Sequence, residues 1–329
     1  MNIAVLQGGP SAEAEVSRAS AKGVAAALGK AGHRVSRLEL TPSLAADLLH
    51  GGFDAAFPVT HGRLGEDGAL QGLLEIIALP YVGSSVLAAA MAMDKTVAKL
   101  AFRAAALPVA TDVVIHRGAD LSVEVARVRS TIGKSVVVKP ACQGSAIGIV
   151  RVADAFEGDV LRDAITAAFG FGDAVLCERF VRGREVTCAV VDVPALGGLR
   201  AFPPTEIFSK AAEWYDFTSR YAAGGSVHQC PAELPDAVTR RVQDIACAAH
   251  RALGCRDLSR VDFVVGDGDD PNAVTLLEVN VLPGMTATSL YPEAAAAAGI
   301  PFDRVCDALV RHAVERARTT TTVAAVPLP

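Results

Sequence analysis

Residues 276–290 read LLEVNVLPGMTATSL. Glu278 and Asn280 stand two apart in an apolar, β-branched run with the composition of a buried strand, so their side chains leave the same face of it. A polar pair on one face of an apolar strand is either an edge turned to water or the lining of a site. Just upstream, SRVDFVV (259–265) reads as a strand, GDGDDPNA as a turn and VTLLEVN (274–280) as a second strand, together an antiparallel hairpin. Folding it about the turn brings Asp262 roughly opposite Glu278, with Arg260 and Asn280 one step further out. Three oxygen donors with no Cys or His among them suit a hard cation such as Mg²⁺. A charge-blunted edge is the competing reading. A carboxylate facing a carboxylate is unfavourable without a cation, which favours the metal. An EF-hand is excluded: DGDDPNAVTLLE puts Pro at its fifth position, Asn where the turn glycine belongs, and strands on both sides.

Composition narrows the partners. At 329 residues the chain exceeds one usual hydrophobic core, so two or three domains are expected. With 31 Lys+Arg against 36 Asp+Glu the net charge is −5, without blocks of like charge, and nucleic acid is not an expected partner. Seven dispersed cysteines, none in a C-x-x-C pair, point to reduced thiols in a cytosolic protein. MNIAVLQGG lacks the pattern of a leader, and no apolar run is long enough for a membrane span. The chain is therefore read as soluble and cytoplasmic.

The first ninety residues alternate strand and helix. NIAVLQ (2–7) is an apolar strand, GGPS a turn, 12–31 an Ala-rich amphipathic helix with Ser11 as its cap, and HRVSRLEL a returning strand. GGPS matches neither G-x-G-x-x-G nor a Walker A loop, so dinucleotide binding is disfavoured. Glu13 falls in the helix's first turn, where the macrodipole alone would favour a carboxylate. A second loop, PVTHGRLGEDGALQG (58–72), follows another short strand and packs His61, Arg63, Glu66 and Asp67 among glycines. Such a loop is where open α/β sheets place ligands.

From Met93 the pattern changes. MDKTVAKLAFRAAALPVA reads as helix up to Pro108, followed by a strand at 112–116, a helix at 121–131 and the strand SVVVK at 135–139. Lys139 ends that apolar strand just before the small-residue loop PACQGSAIG, and Lys95 opens the preceding helix. A lone strand lysine snorkels to solvent. Two lysines beside such a loop suggest a grip on phosphates, completed by loop N–H groups and Ser145. AVLCERFVRGREVTCAVV carries Glu178 and Glu185. Its FVRG break reads as a linker whose backbone, at Phe180 and Val181, is open to a purine. Both glutamates also fit plain surface charge at a domain boundary.

Taken in order, GGPSAEAEVS, HGRLGEDGALQG, MDK, VVVKPACQGSAIG, CERFVRGRE, YDFTSRYAAGGSVHQCPA, RVDF and LEVNVLPGMTATSL resemble the D-alanine–D-alanine ligases of the ATP-grasp superfamily. The resemblance runs from residue 2 to about 312. It implies a mixed α/β, three-domain ATP-grasp fold with an N-terminal parallel sheet: 1–93 for substrate, 94–183 as the central ATP-grasp part, and 184–317 as the catalytic part. It also implies a lid at 206–228, a flexible tail at 318–329, and ATP between the second and third domains.

By that resemblance Lys95 and Lys139 hold phosphates, Glu178, Phe180 and Val181 meet adenine, Glu185 meets ribose, and Arg220 adds to the nucleotide site. Asp262, Glu278 and Asn280 hold two Mg²⁺ ions, with Mn²⁺ as a substitute. Glu13 orients the first D-alanine near His61, and Ser145 with Tyr221 links it to the lid. Arg260 and the Gly284 amide stabilise the oxyanion, while Ser289 and Leu290 hold the second D-alanine. The implied activity is ATP-dependent ligation through an acyl phosphate for peptidoglycan, in a cytoplasmic homodimer. Departures from the family pattern are Cys142, Gln143 and Ala146 around Ser145, Arg220 in place of Lys, and Val281, Leu282 and Thr288 near the acceptor end. They keep open a divergent housekeeping enzyme or a paralogue with another acceptor amine, while the intact Asp262, Glu278, Asn280, Lys95, Lys139 and Arg260 argue against a silent ATP- or D-alanine-binding protein.

Overall fold

The computed structural model describes residues 1–209 and 226–323. The first sheet is parallel, in the order β2-β1-β3, from β1 (Asn2–Gln7), β2 (Arg34–Glu39) and β3 (Ala55–Pro58). Ile3, Ala4, Val5 and Leu6 of the central strand are all fully buried, as a strand covered on both faces requires. The crossovers are α1 (Ala14–Lys30) and α2 (Leu44–His50).

α1 starts two residues later than the sequence suggests. The Ser11 hydroxyl accepts the Glu13 N–H at 3.2 Å and the Ser11 carbonyl accepts the Ala14 N–H at 3.2 Å, which makes a turn ahead of the helix. Glu13, not Ser11, therefore occupies the cap position. Gly8 in the preceding turn has φ +71°, and a Cβ there would lie 2.0 Å from the Glu39 carboxylate. Its N–H donates to Ser17 Oγ at 2.8 Å, so this turn spends its amide inside the fold.

Three helices lead to the second sheet: α3 (Ala69–Ile76), α4 (Val86–Met93) and α5 (Lys95–Ala104). Asp94 separates the last two and caps α5 by accepting the Thr96 and Val97 N–H groups at 2.9 and 3.2 Å. α5 stops at Ala104, four residues short of Pro108, where Ala106 turns to φ +54°. The second sheet is antiparallel, in the order β4-β7-β5-β6, from β4 (Asp112–His116), β5 (Val136–Pro140), β6 (Val150–Val152) and β7 (Ala174–Arg179). It is covered by α6 (Leu121–Thr131) and α7 (Val160–Ala168).

The third sheet runs β11-β10-β8-β12-β13, with β9 also on β8. Its strands are β8 (Arg184–Val193), β9 (Gly198–Ala201), β10 (Thr205–Ser209), β11 (Ser226–Gln229), β12 (Asp257–Val265) and β13 (Val274–Asn280). The stretch AVLCERFVRGREVTCAVV is thus two strands in two sheets, broken at FVRG. α8 (Asp236–Ala252) buries Val238, Val242, Ile245 and Ala249 along one face against this sheet. α9 (Leu290–Ala297) and α10 (Phe302–Val323) complete the fold.

The β12–β13 hairpin forms as read, with one addition. Val265 pairs with Val274 and Phe263 with Leu276, but Asp262 pairs with Glu278, so Leu277 is an extra residue in a β-bulge. Strict alternation from the turn would set Leu277 opposite Asp262. The bulge moves Glu278 and Asn280 onto the face of Asp262 and Arg260.

The ends of the chain meet in one core. Ile3, Val24 and Phe57 share a cluster with Val191, Leu258, Tyr291 and Leu309, where α10 packs against α1 and β3 of the first layer and α9 against β8 and α10. Fully burying each large apolar side chain contributes ~1.5–3 kcal/mol. Anchored this way, α10 extends through Val323, with the Thr319 hydroxyl donating to the Glu315 carbonyl at 3.1 Å. The flexible tail expected from 318 is therefore helical to 323, and 324–329 lie outside the described residues. Among those residues no helix is long and apolar enough to cross a membrane.

Candidate active site

The loops after β1, β3 and β5 and one face of the β12–β13 hairpin enclose a cavity of about 1290 Å³. Twelve of the residues singled out from the sequence line it: Glu13, His61, Lys95, Ser145, Glu185, Arg260, Asp262, Glu278, Asn280, Gly284, Ser289 and Leu290. Lys139, Glu178, Phe180 and Val181 sit to one side, around the break between β7 and β8. Arg220, Tyr221 and most of the expected lid lie outside the described residues. The lid's flanks are β10 and β11, which pair from Glu206–Gln229 to Ser209–Ser226.

Glu13 is held by a loop from the next sheet. The Ser145 hydroxyl donates to Glu13 Oε1, and Ser145 and Ala146 both take left-handed conformations, φ +54° and +57°. Non-glycine residues in that region carry strain that a packed site must support. Lys95 braces the loop: its N–H donates to the Ala141 carbonyl at 3.0 Å and its Nζ to the Gln143 carbonyl at 2.5 Å. That ammonium also stands 3.5 Å from Glu278 Oε2.

Across the cavity, Arg260 Nε and Nη2 grip the two oxygens of Asp262 at 2.9 and 2.8 Å, while the Thr187 hydroxyl donates to Oδ1 at 2.7 Å. Asn280 Oδ1 accepts the Leu282 N–H at 3.0 Å. Among the described residues no three His, Cys, Asp or Glu converge on a metal position. The candidate set is two opposed carboxylates and an amide, an all-oxygen set that fits Mg²⁺. Each carboxylate has a cation beside it, Arg260 or Lys95, which meets the charge that opposed carboxylates demand.

At the far end Gly284 and Ser289 nearly touch. A Cβ on Gly284 would lie 2.8 Å from Ser289 Oγ, which itself accepts the Thr286 N–H at 3.0 Å. Ser289 is the cap residue of α9 and Leu290 its first residue, so this turn presents a helix N-terminus to the cavity.

Two buried titratable groups complete the lining. His61 is held below its ordinary value, first by burial and then by the Arg260 charge, although Glu13 opposes this; its Nε2 has no hydrogen-bond partner among the described residues. Glu66 accepts the Gly62 N–H at 2.8 Å, and burial followed by the Glu13 charge raises its carboxyl to about 8. A Cβ on Gly144 would lie 3.5 Å from Glu13 Oε2 and 3.8 Å from Glu66 Oε1, which places the two acids around one small-residue gap. Sequence reading placed Glu66 in a loop without a role.

The nucleotide candidates form a charged cluster instead of an open pocket. Glu178 is buried between Lys99 and Lys139. The Phe180 N–H is spent on the Ser135 carbonyl at 3.1 Å. The Arg151 guanidinium stacks on the Phe180 ring at 4.0 Å. Lys99 drew no attention in the sequence. Its signal is that Lys95, Ala98, Lys99 and Phe102 form the buried face of α5, so two lysines lie on a face that should be apolar.

Comparison with known proteins agrees with this geometry. Residues 37–84 match the family model described as D-ala D-ala ligase N-terminus, and 101–311 the one described as D-ala D-ala ligase C-terminus. A D-alanine–D-alanine ligase of Anaeromyxobacter sp. (strain K) is 44% identical over 316 residues, covering 96% of this chain and 97% of its own length. The fold superposes with TM-score 0.81 on a D-alanine–D-alanine ligase from Bacillus anthracis complexed with ATP, at 28% identity over 97% of this chain and 99% of that one. It superposes equally, with TM-score 0.81, on VanG D-Ala:D-Ser ligase from Enterococcus faecalis, at 28% identity over 95% and 99%. From the matched models and the identity along nearly its whole length, the chain belongs to the D-alanine–D-alanine ligase family.

Proposed function

We infer that the chain joins two D-alanines into D-alanyl-D-alanine at the expense of ATP, through an acyl phosphate, in the cytoplasmic synthesis of peptidoglycan precursors. One observation carries this reading. A single cavity holds an oriented carboxylate at one end, Glu13, and a helix N-terminal turn at the other, Gly284 to Leu290, with Arg260 and an all-oxygen metal face between them. The three sheets are taken as three domains, 1–93, 94–183 and 184–317, with nucleotide between the last two. The similarity to an ATP complex supports that placement.

A free carboxylate is a poor electrophile, so one carboxylate oxygen of the first D-alanine attacks the γ-phosphorus and ADP leaves. Glu13, fixed by Ser145, receives the ammonium of that D-alanine, and neutral His61 lies beside it. Lys95 neutralises charge on the transferring phosphoryl group. Asp262, Glu278 and Asn280 would hold two Mg²⁺ ions, which when bound supply further charge neutralisation on the polyphosphate. The amine of the second D-alanine, having lost a proton, attacks the acyl carbon. Arg260 and the Gly284 N–H face the oxyanion that develops, and phosphate leaves with the original carboxylate oxygen. Ser289, with the first turn of α9, receives the acceptor's carboxylate.

D-alanine as the acceptor is supported by the 44% identity to a D-alanine–D-alanine ligase. Shape alone is neutral, since the superposition on the D-Ala:D-Ser ligase is equally good. The test is ADP release with D- and L-amino acids, singly and in pairs, with products identified by mass. D-alanine alone should give the dipeptide, with one ADP per dipeptide. Turnover that requires a second, different amine would overturn the acceptor assignment.

A further inference from the structure

The two oxygens of Glu178 are divided between two lysines: Lys99 Nζ donates to Oε1 and Lys139 Nζ pairs with Oε2. Lys99 is fixed from several sides. It is 2% exposed, donates to the Ala110 carbonyl at 2.9 Å and stands 3.3 Å from Asp112 Oδ1, a carboxylate that also pairs with Arg103. Lys99 and Arg103 thus balance Glu178 and Asp112, two cations against two anions. Lys139 is the surplus charge.

Burial makes that balance consequential, because an uncompensated charge in the interior costs far more than the same charge in a balanced cluster. Removing Lys139 from Glu178 leaves the remaining four charges neutral. Removing Lys99 strips both carboxylates of their shared partner. Lys139 is also the more accessible of the two lysines, its side chain 13% exposed against 2%, and it stands near the end of β5 just before the loop that carries Ser145.

We propose that Lys139 is a shuttling cation: without nucleotide it neutralises Glu178, and on ATP binding it moves to the phosphates while the exocyclic amino group of the base takes the oxygen it leaves, Lys99 remaining as the fixed counter-ion. This rests on the reading of Glu178 as the base-recognising carboxylate and of Lys139 as a phosphate ligand. Burial alone would raise the Glu178 carboxyl, but Lys139 and Lys99 hold it down at about 2, so it enters the exchange as an anion. An anionic oxygen vacated by an ammonium needs a donor. A 6-amino purine supplies one and a 6-oxo purine presents an acceptor, so the exchange couples phosphate capture to base selection. Lys99 is a positioning residue in this scheme.

The test measures binding of adenosine, inosine and ATP to the full-length wild type, Lys139→Met and Glu178→Gln by calorimetry. Lys139→Met should bind ATP more weakly and adenosine several-fold more tightly, because the competitor for Glu178 is gone. Adenosine binding that is unchanged or weaker in that variant overturns the shuttle. Glu178→Gln separates this from the underlying reading: it should lose the preference for adenosine over inosine, and a retained preference overturns Glu178 as the base ligand. Thermal unfolding supplies a second criterion. Lys139→Met should stay close to wild type while Lys99→Met unfolds well below it, and the reverse order overturns the assignment of fixed and mobile cation.

Discussion

Asp262 on β12 sits directly opposite Glu278 on β13, and the pair exists because Leu277 is bulged out of the ladder beside it. One extra residue sets which face of β13 carries the carboxylate. Without it Glu278 would fall opposite the buried Val261, on the face away from Arg260 and Asp262. Deleting Leu277 should therefore abolish ATP turnover and reduce soluble yield together, since the deletion drives Glu278 and Asn280 toward the core. Recovery of wild-type ADP release from that deletion would contradict the bulge's role.

Glu278→Gln tests the same face without moving the backbone. A neutral amide cannot balance polyphosphate charge, so ADP release should fall by roughly 10²–10³-fold, the order expected for losing one preorganised electrostatic group. The unfolding midpoint should stay within a few degrees of wild type, because Glu278 is only partly buried. An edge-strand role predicts little change in rate.

Glu66 predicts a pH signature in stability. Its folded-state carboxyl is raised from 4.5 to about 8, chiefly by burial, so between those values the folded protein holds a proton that the unfolded chain has released. Stability therefore falls as pH rises from about 4.5 and levels off above about 8, at up to ~1.4 kcal/mol per pH unit. Glu66→Gln stays neutral throughout. Its stability relative to wild type should grow across that window, and equal midpoints at pH 5 and pH 8.5 for the two proteins would contradict the raised value.

Gly284→Ala should act on the acceptor end and on the oxyanion that the Gly284 N–H faces, lowering kcat as well as acceptor binding. The new Cβ would meet Ser289 Oγ at 2.8 Å, forcing the turn that presents the start of α9 to open. The KM for the second D-alanine should rise about tenfold or more, as loss of a charge-assisted hydrogen bond predicts, with ATP binding unchanged. Initial-rate kinetics with D-alanine varied at saturating ATP give the answer.

Ser145→Ala removes the hydroxyl that holds Glu13 while keeping the strained backbone. The KM for the first D-alanine should rise about tenfold with little change in unfolding midpoint. Ser145→Gly should show the same kinetic loss and a gain of ~1 kcal/mol in stability, because glycine adopts φ +54° without a Cβ penalty. Separate effects on rate and stability in the two variants are measurable by kinetics and thermal unfolding.

The hairpin and the parallel first sheet were legible in the sequence because each rests on local pattern, alternation in VTLLEVN and the strand–helix rhythm of the first ninety residues, whereas Gly284, Ser289 and Leu290 entered only through the resemblance to a known family. Three features were not legible. The bulge at Leu277 is a two-against-one count across a ladder, which neither strand shows alone. Lys99 reads as an ordinary helix lysine until Glu178 and Asp112, brought from distant strands, surround it. The joining of α10 to the first sheet depends on contacts some three hundred residues apart, such as Ile3 with Leu309 in one core, and that anchoring carries the helix through the threonine run that reads as a loose tail.

The central claim, ligation through an acyl phosphate, is tested most directly by oxygen transfer. D-alanine labelled with ¹⁸O in both carboxylate oxygens is turned over with unlabelled ATP, and the inorganic phosphate is analysed by mass. Attack by the carboxylate on the γ-phosphorus predicts one ¹⁸O in each phosphate released, with the second retained in the dipeptide's amide carbonyl. Phosphate free of label, formed at the same rate as the dipeptide, would contradict the account.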